Sequence, residues 1–260
     1  QSRGELDAAF PTTTSVSLSC LGTGATPGRH GMLGYDVVDP ASDRVVNMLG
    51  NWPSDVDPLA WQPEPTVLER AAQHADAVTV SSPRFESSAL TRAVLRGGRF
   101  VGAHGVYART ARTLEQLREG RRGLVYFYWD ELDKTGHKAG WRSDDWLRSL
   151  EELDSALKRL VTTLPANTRV ILTADHGMVD VAPEHRVDYS AVPELMAGVR
   201  LTAGEPRAVQ LHTDADTDPE ELASRWSAHY GDVVWVATKQ HLAAHGYFGP
   251  EPDQGLLERA

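Results

Sequence analysis

Two periodicities run through the chain. Trp146, Leu150, Leu153, Leu157, Leu160 and Leu164 recur at three- and four-residue spacings, which predicts an amphipathic helix over about 144–164. Short apolar runs flank it, Leu124-Val125-Tyr126-Phe127-Tyr128 before and Val170-Ile171-Leu172-Thr173-Ala174 after. Strand, long helix, strand makes a βαβ unit, and such crossovers are right-handed, so strand 170–174 is expected parallel to strand 124–129 and covered on both faces. The rhythm extends upstream, with helices over 66–74, 89–95 and 110–120 and strands at 77–80 and 100–101. Downstream, strands are expected near 198–201, 208–211 and 232–237 and a helix over 220–229. Such alternation predicts a layered α/β sheet.

Residues 25–64 break the pattern. They are punctuated by proline and glycine, 44–49 is their one strand-like piece, and they read as an irregular lobe inserted into a single domain over 1–260. Trp52 and Trp61 within it serve either as plugs under a long loop or as a stacking wall for a base. With 26 Lys and Arg against 36 Asp and Glu, the net charge of −10 argues against a nucleic-acid polymer or an acidic membrane surface as partner. A small anionic substrate remains open if cations supply the positive field. Cys20 is the single cysteine, which excludes an intramolecular disulfide and a Cys-rich zinc site. No apolar run is long enough to span a bilayer, and the chain as given carries no signal peptide, which favours a cytoplasmic location.

The chemistry sits where strands are expected to end, the place where open α/β sheets bind ligands. Run 170–174 ends in Asp175-His176-Gly177, a hard oxygen beside a borderline nitrogen, suited to zinc or a related divalent ion. Taken alone, such a pair is more often a capping Asp and a surface His than a metal pair. The other run stops at Asp130-Glu131-Leu132-Asp133, with His137 four residues further on and Gly136 expected to open a tight loop between them. Asp130 and Glu131 read as a solvated acidic loop. Near the N-terminus, Phe10-Pro11-Thr12-Thr13-Thr14 leads into a short apolar helix that Gly22 and Gly24 terminate. A hydroxyl at such a start meets free N–H groups and a positive dipole end, which favour phosphate and an alkoxide; the alternative is a Thr-rich cap without chemistry.

The order Phe10-Pro11-Thr12-Thr13-Thr14, Leu132-Asp133-Lys134-Thr135-Gly136-His137 and Thr173-Ala174-Asp175-His176-Gly177-Met178 resembles the alkaline-phosphatase superfamily, and within it the nucleotide pyrophosphatase/phosphodiesterase branch. The resemblance runs over about 10–180 and implies a three-layer α/β/α sandwich with a mostly parallel sheet. It implies a phosphoric ester hydrolase that acts on a small phosphorylated substrate such as a nucleotide. Thr14 would be the nucleophile, Asp133 and His137 would belong to one zinc site and Asp175 and His176 to the other, other divalent ions being alternatives. Ser17 stands where that branch often carries an Asn on a phosphate oxygen, and is expected to bind substrate. The family also uses an Asp on a first strand and a His in a C-terminal His-Gly motif. Asp7 follows no strand and is not assigned; His245 is read as a non-ligand, and the chain as an incomplete copy of a longer domain. His30, His104 and His185 are expected to be structural or solvent-facing, His30 bracing the loop after the first helix. The alternatives are a phosphomonoesterase of the same superfamily, a catalytically incomplete fragment, or a binding module in which the Asp and His residues are incidental.

Overall fold

A computed structural model describes residues 4–117 and 122–260. Helices α1 (Thr14–Thr23) and α2 (Pro27–His30) precede the strands β1 (Asp36–Asp39) and β2 (Arg44–Asn47). Then come α3 (Pro58–Trp61), α4 (Val67–Ala72), β3 (Asp76–Ser81), α5 (Ala89–Val94), β4 (Arg99–Gly102) and α6 (Gly105–Leu117). They are followed by β5 (Gly123–Phe127), α7 (Glu131–Ala139) and α8 (Asp144–Thr163). Last are α9 (Pro193–Met196), β6 (Val199–Glu205), β7 (Ala208–Thr213), α10 (Pro219–Tyr230), α11 (Lys239–Ala244) and α12 (Gln254–Leu257). The chain divides into two compact units, one of residues 1–20, 25–57 and 181–260, the other of residues 21–24 and 58–180.

The second unit holds a parallel sheet in the order β4-β3-β5, registered through Val78↔Arg99 and Asp76↔Gly123. Its centre is β3, where Ala77, Val78 and Val80 are buried as the β-branched run requires. Helix α4 starts on a capping box: Thr66 Oγ1 accepts from the Glu69 amide at 3.0 Å, and Glu69 Oε2 accepts from the Thr66 amide at 2.7 Å. Helix α8 matches the leucine periodicity, and its Ser143 cap accepts from the Trp146 amide at 3.1 Å. Helix α6 begins earlier than expected, at Gly105, because Val106 already belongs to its buried stripe with Arg109, Thr110, Thr113 and Leu114. The expected continuation of this helix to 120 lies outside the described residues.

One expectation fails in this unit. Residues 170–174 form no strand, and Ile171 and Leu172 are 83% and 74% exposed. Three apolar residues mark a β-prone segment, but a buried parallel strand also needs a hydrogen-bonded neighbour. Among the described residues β5 pairs only with β3, so the βαβ unit is not closed there.

The first unit holds an antiparallel sheet in the order β2-β1-β6-β7, so the parallel expectation describes the other unit alone. Segment 25–64, expected to be irregular apart from 44–49, supplies the hairpin Val37↔Val46, with β1 unrecognised in the sequence. Strands β6 and β7 form a second hairpin, and Gly204 at φ +84° lies where a Cβ would meet the Ala208 carbonyl at 2.2 Å. Leu195, Leu222 and Trp226 form one apolar cluster, with Trp226 Nε1 donating to the Leu195 carbonyl at 2.9 Å. The strand expected over 232–237 is absent; the chain leaves α10 through a turn in which the Val233 and Val234 amides donate to the Tyr230 carbonyl, with Val233 77% exposed.

His30 is fully buried, its Nδ1 accepting from the Met32 amide at 3.1 Å and its Nε2 lying 3.3 Å from Cys20 Sγ. The expected brace after α1 is therefore present. Burial lowers the His30 pKa from 6.5 to about 3. Below pH 6.5 the unfolded chain takes up a proton that the folded chain refuses, so stability falls as pH drops from 6.5 towards 3. Urea unfolding at pH 7 and pH 5 should show this loss, and His30→Asn should flatten the pH dependence by about one proton; an unchanged slope would mean that His30 titrates normally in the fold. In the second unit, a Cβ on Gly22 would sit 2.1 Å from the Val94 carbonyl oxygen. Gly22→Ala should therefore cost about 1–3 kcal/mol, measured by chemical unfolding.

Candidate active site

Helix α7 carries Asp133 and His137 four residues apart, on one face. The expected loop at Gly136 is not formed, and the helix runs through this residue. Gly136 serves close approach instead: a Cβ there would meet Met178 Sδ at 2.0 Å. At the end of the helix, Asp180 Oδ1 accepts from the Trp141 amide at 3.2 Å. Segment 175–180 is thus pinned along α7 at two points, which brings Asp175 and His176 to Asp133 and His137 without a strand behind them.

Within this cluster His137 Nε2 lies 3.3 Å from Asp133 Oδ1, and His176 Nε2 lies 3.5 Å from Asp175 Oδ2. Asp175 Oδ1 accepts from the His176 amide at 3.1 Å. His176 Nδ1 is 2.8 Å from the Gly177 carbonyl. A carbonyl only accepts, so Nδ1 is the donor in this contact. Burial raises the Asp133 pKa, with Asp175 adding to the rise and His137 and His176 opposing it. Burial, together with the Asp175 charge, also raises Tyr126 and Tyr128 at the end of β5. Asp133 Oδ1 is buried and accepts no hydrogen bond, its contact with His137 Nε2 being an ion pair only. Two carboxylates, two imidazoles and a buried carboxylate oxygen without a donor fit a divalent cation by donor type. Among the described residues, no three or more His, Cys, Asp or Glu side chains form a metal-holding group, and the four candidate side chains stand as two Asp–His pairs.

Asp130 and Glu131 are not a solvated loop. Asp130 is buried and paired with Arg84 and Lys134, and Glu131 takes both ends of the Arg109 guanidinium. Desolvation raises the Asp130 pKa, with Glu131 adding to the rise. Sequence reading missed this network. Its signal is the position of Arg109 on the buried stripe of α6, where a charged residue must have partners.

Thr14 and Ser17 lie in the other unit, in the first turns of α1. No acidic side chain occupies that first turn, so nothing there offsets the positive dipole end. Ser15 Oγ donates to the Gly34 carbonyl and Ser19 Oγ to the Ser15 carbonyl, each at 2.6 Å. Ser17 Oγ is buried without a partner. His104, His185 and Asp7 are exposed, and Trp61 is buried as a plug. His245 ends α11, with Nδ1 2.8 Å from the His241 carbonyl and its ring stacked on that of His241.

Comparison with known proteins points the same way. A venom phosphodiesterase of Macrovipera lebetinus is 28% identical over 200 residues, covering 70% of this chain and 22% of its own length. Venom phosphodiesterase 2 of Crotalus adamanteus is 24% identical over 192 residues, covering 71% of this chain and 23% of its own length. The chain thus spans less than a quarter of these relatives. Among solved structures, murine ectonucleotide pyrophosphatase/phosphodiesterase 5 superposes with a TM-score of 0.66 at 17% identity, over 94% of this chain and 66% of that one. An inactive form of that protein has been solved in complex with AMP. Phosphonoacetate hydrolase from Sinorhizobium meliloti, in complex with phosphonoformate, superposes with a TM-score of 0.62 at 19% identity, over 94% of this chain and 68% of that one. Residues 1–255 match the type I phosphodiesterase / nucleotide pyrophosphatase family, and the chain belongs to that family.

Proposed function

We propose that this chain carries the hydrolytic centre of a phosphodiesterase or nucleotide pyrophosphatase, with Thr14 as nucleophile, Ser17 as a donor to the phosphoryl group, and two divalent ions, zinc by donor type. Asp133 and His137 would hold one ion, and Asp175 and His176 the other. The observation that supports this reading is that the Asp133/His137 and Asp175/His176 pairs lie close enough for Asp175 and His176 to act electrostatically on Asp133, whose buried Oδ1 accepts no hydrogen bond. The AMP complex of the murine protein supports a nucleotide as substrate.

The steps left to the chain's own residues are few. Amide groups in the first turn of α1 and the Ser17 hydroxyl bind phosphoryl oxygens and orient the phosphorus towards Thr14. Thr14 Oγ1 loses its proton to solvent and forms the new P–O bond in line as the P–O bond to the ester oxygen breaks, and the departing oxygen takes up a proton from solvent. Water then attacks the phosphothreonine from the vacated side, freeing the phosphate monoester and restoring the hydroxyl. Bound divalent cations would stabilise the ionised hydroxyl and the charge on the departing oxygen. With cations in that role, no general base is required from the protein.

Elemental analysis of protein purified without chelator should give about two zinc ions per chain, lost in Asp133→Ala, Asp175→Ala; less than one ion in both proteins would sink the metal assignment. Thr14→Ala should lower hydrolysis of bis-p-nitrophenyl phosphate by about 10³-fold or more with metal content unchanged. A wild-type preference for p-nitrophenyl phosphate over the diester would instead establish a phosphomonoesterase.

A further inference from the structure

We propose that Arg109 is a positioning residue of the candidate metal centre: one buried guanidinium ties the ends of β4 and β5 to the first turn of α7, and so fixes where Asp133 and His137 are presented. This inference rests on the metal-centre reading above. The Arg109 side chain is 3% exposed. Its Nε donates to the Ala103 carbonyl, just past β4, at 3.1 Å. Its Nη1 donates to the Tyr128 carbonyl, just past β5, at 3.3 Å and to Glu131 Oε2 at 2.9 Å, and its Nη2 donates to Glu131 Oε1. Glu131 Oε2 also accepts from the Asp130 amide at 3.2 Å.

The turn from β5 into α7 is therefore held by one planar fork, and Asp133 follows Glu131 by two residues on the same helix. A lysine could not reproduce the arrangement, because its single ammonium cannot grip both carboxylate oxygens and the two flanking carbonyls in one plane. The network also places charge. Arg109 pairs with Glu131, while Arg84 and Lys134 pair with Asp130. Without Arg109, Glu131 would add an unpaired negative charge beside Asp130, pulling α7 away from the strand ends.

A fold staple with no bearing on the centre would look similar, and Arg96 supplies that comparison in the same unit. Its side chain is 17% exposed and bonds Glu69 Oε1 at 3.0 Å, the Glu64 carbonyl at 2.9 Å and the Ala93 carbonyl. None of the segments that it joins carries a candidate ligand.

Zinc affinity, measured by competition with a chromophoric chelator and read alongside thermal unfolding, separates the two roles. Arg109→Lys and Glu131→Gln, both folded, should bind zinc about 10-fold or more weakly than wild type, the loss typical of residues that orient ligands. Arg96→Met should lower the melting temperature at least as much and leave zinc affinity unchanged. Wild-type affinity in folded Arg109→Lys and Glu131→Gln would overturn the proposal, as would a loss in Arg96→Met that tracks its stability. Absence of zinc binding by wild type itself would instead remove the metal-centre reading, and this inference with it.

Discussion

Four carboxylates, Asp130, Glu131, Asp133 and Asp175, are gathered around the junction of β5 and α7, and the construction of that unit follows from holding like charges together. At separations of a few ångströms in a partly desolvated setting, each pair would repel by kilocalories per mole if left uncompensated. The chain compensates two of the four with its own cations. Arg84 and Lys134 take Asp130, and Arg109 takes Glu131. Among the described residues, Asp133 and Asp175 pair with the imidazoles of His137 and His176 and with no Lys or Arg. The uncompensated pair is the pair whose attraction for an external cation would be strongest. The acidic balance of the whole chain points the same way, since a small anionic substrate can approach such a surface only where bound cations reverse the local sign.

Much of this was legible in the sequence, and what escaped has a common cause. Helix α8 followed from leucine spacing, β3 from its β-branched run, and the two candidate Asp–His pairs from residue type at the ends of apolar runs. These are local signals. Strand 170–174 failed because burial depends on a neighbouring strand that the run itself does not encode. Gly136 was misread because glycine signals both a loop and a close approach; the sulfur of Met178 decides between them, from 42 residues away in sequence. Asp130 and Glu131 looked solvated because their partners Arg84 and Arg109 precede them by 46 and 22 residues.

Helix α1 makes a similar point about hydroxyls. Thr13, Thr14, Ser15, Ser17 and Ser19 crowd its start, and composition alone cannot assign their roles. The packing uses Ser15 and Ser19 to satisfy carbonyls inside the unit. Ser17 is left with a buried oxygen and no hydrogen-bond partner among the described residues, an expense of about 1–3 kcal/mol that a bound phosphoryl oxygen would relieve. The hydroxyl that the fold leaves unsatisfied is one helical turn from the candidate nucleophile.

The contact between Cys20 and His30 also determines how the chain behaves as a chemical object. Thiol–imidazole pairs are usually reactive because the ring takes the proton and leaves a thiolate. Here burial holds His30 neutral and pushes the Cys20 thiol up to about 11, so the sulfur keeps its proton and only about 10⁻⁴ of the population is thiolate at neutral pH. The chain's one sulfhydryl is thereby chemically silent in the folded state. Its alkylation is therefore slowed in the folded chain by the raised thiol rather than by full enclosure, since the Cys20 side chain is only partly buried.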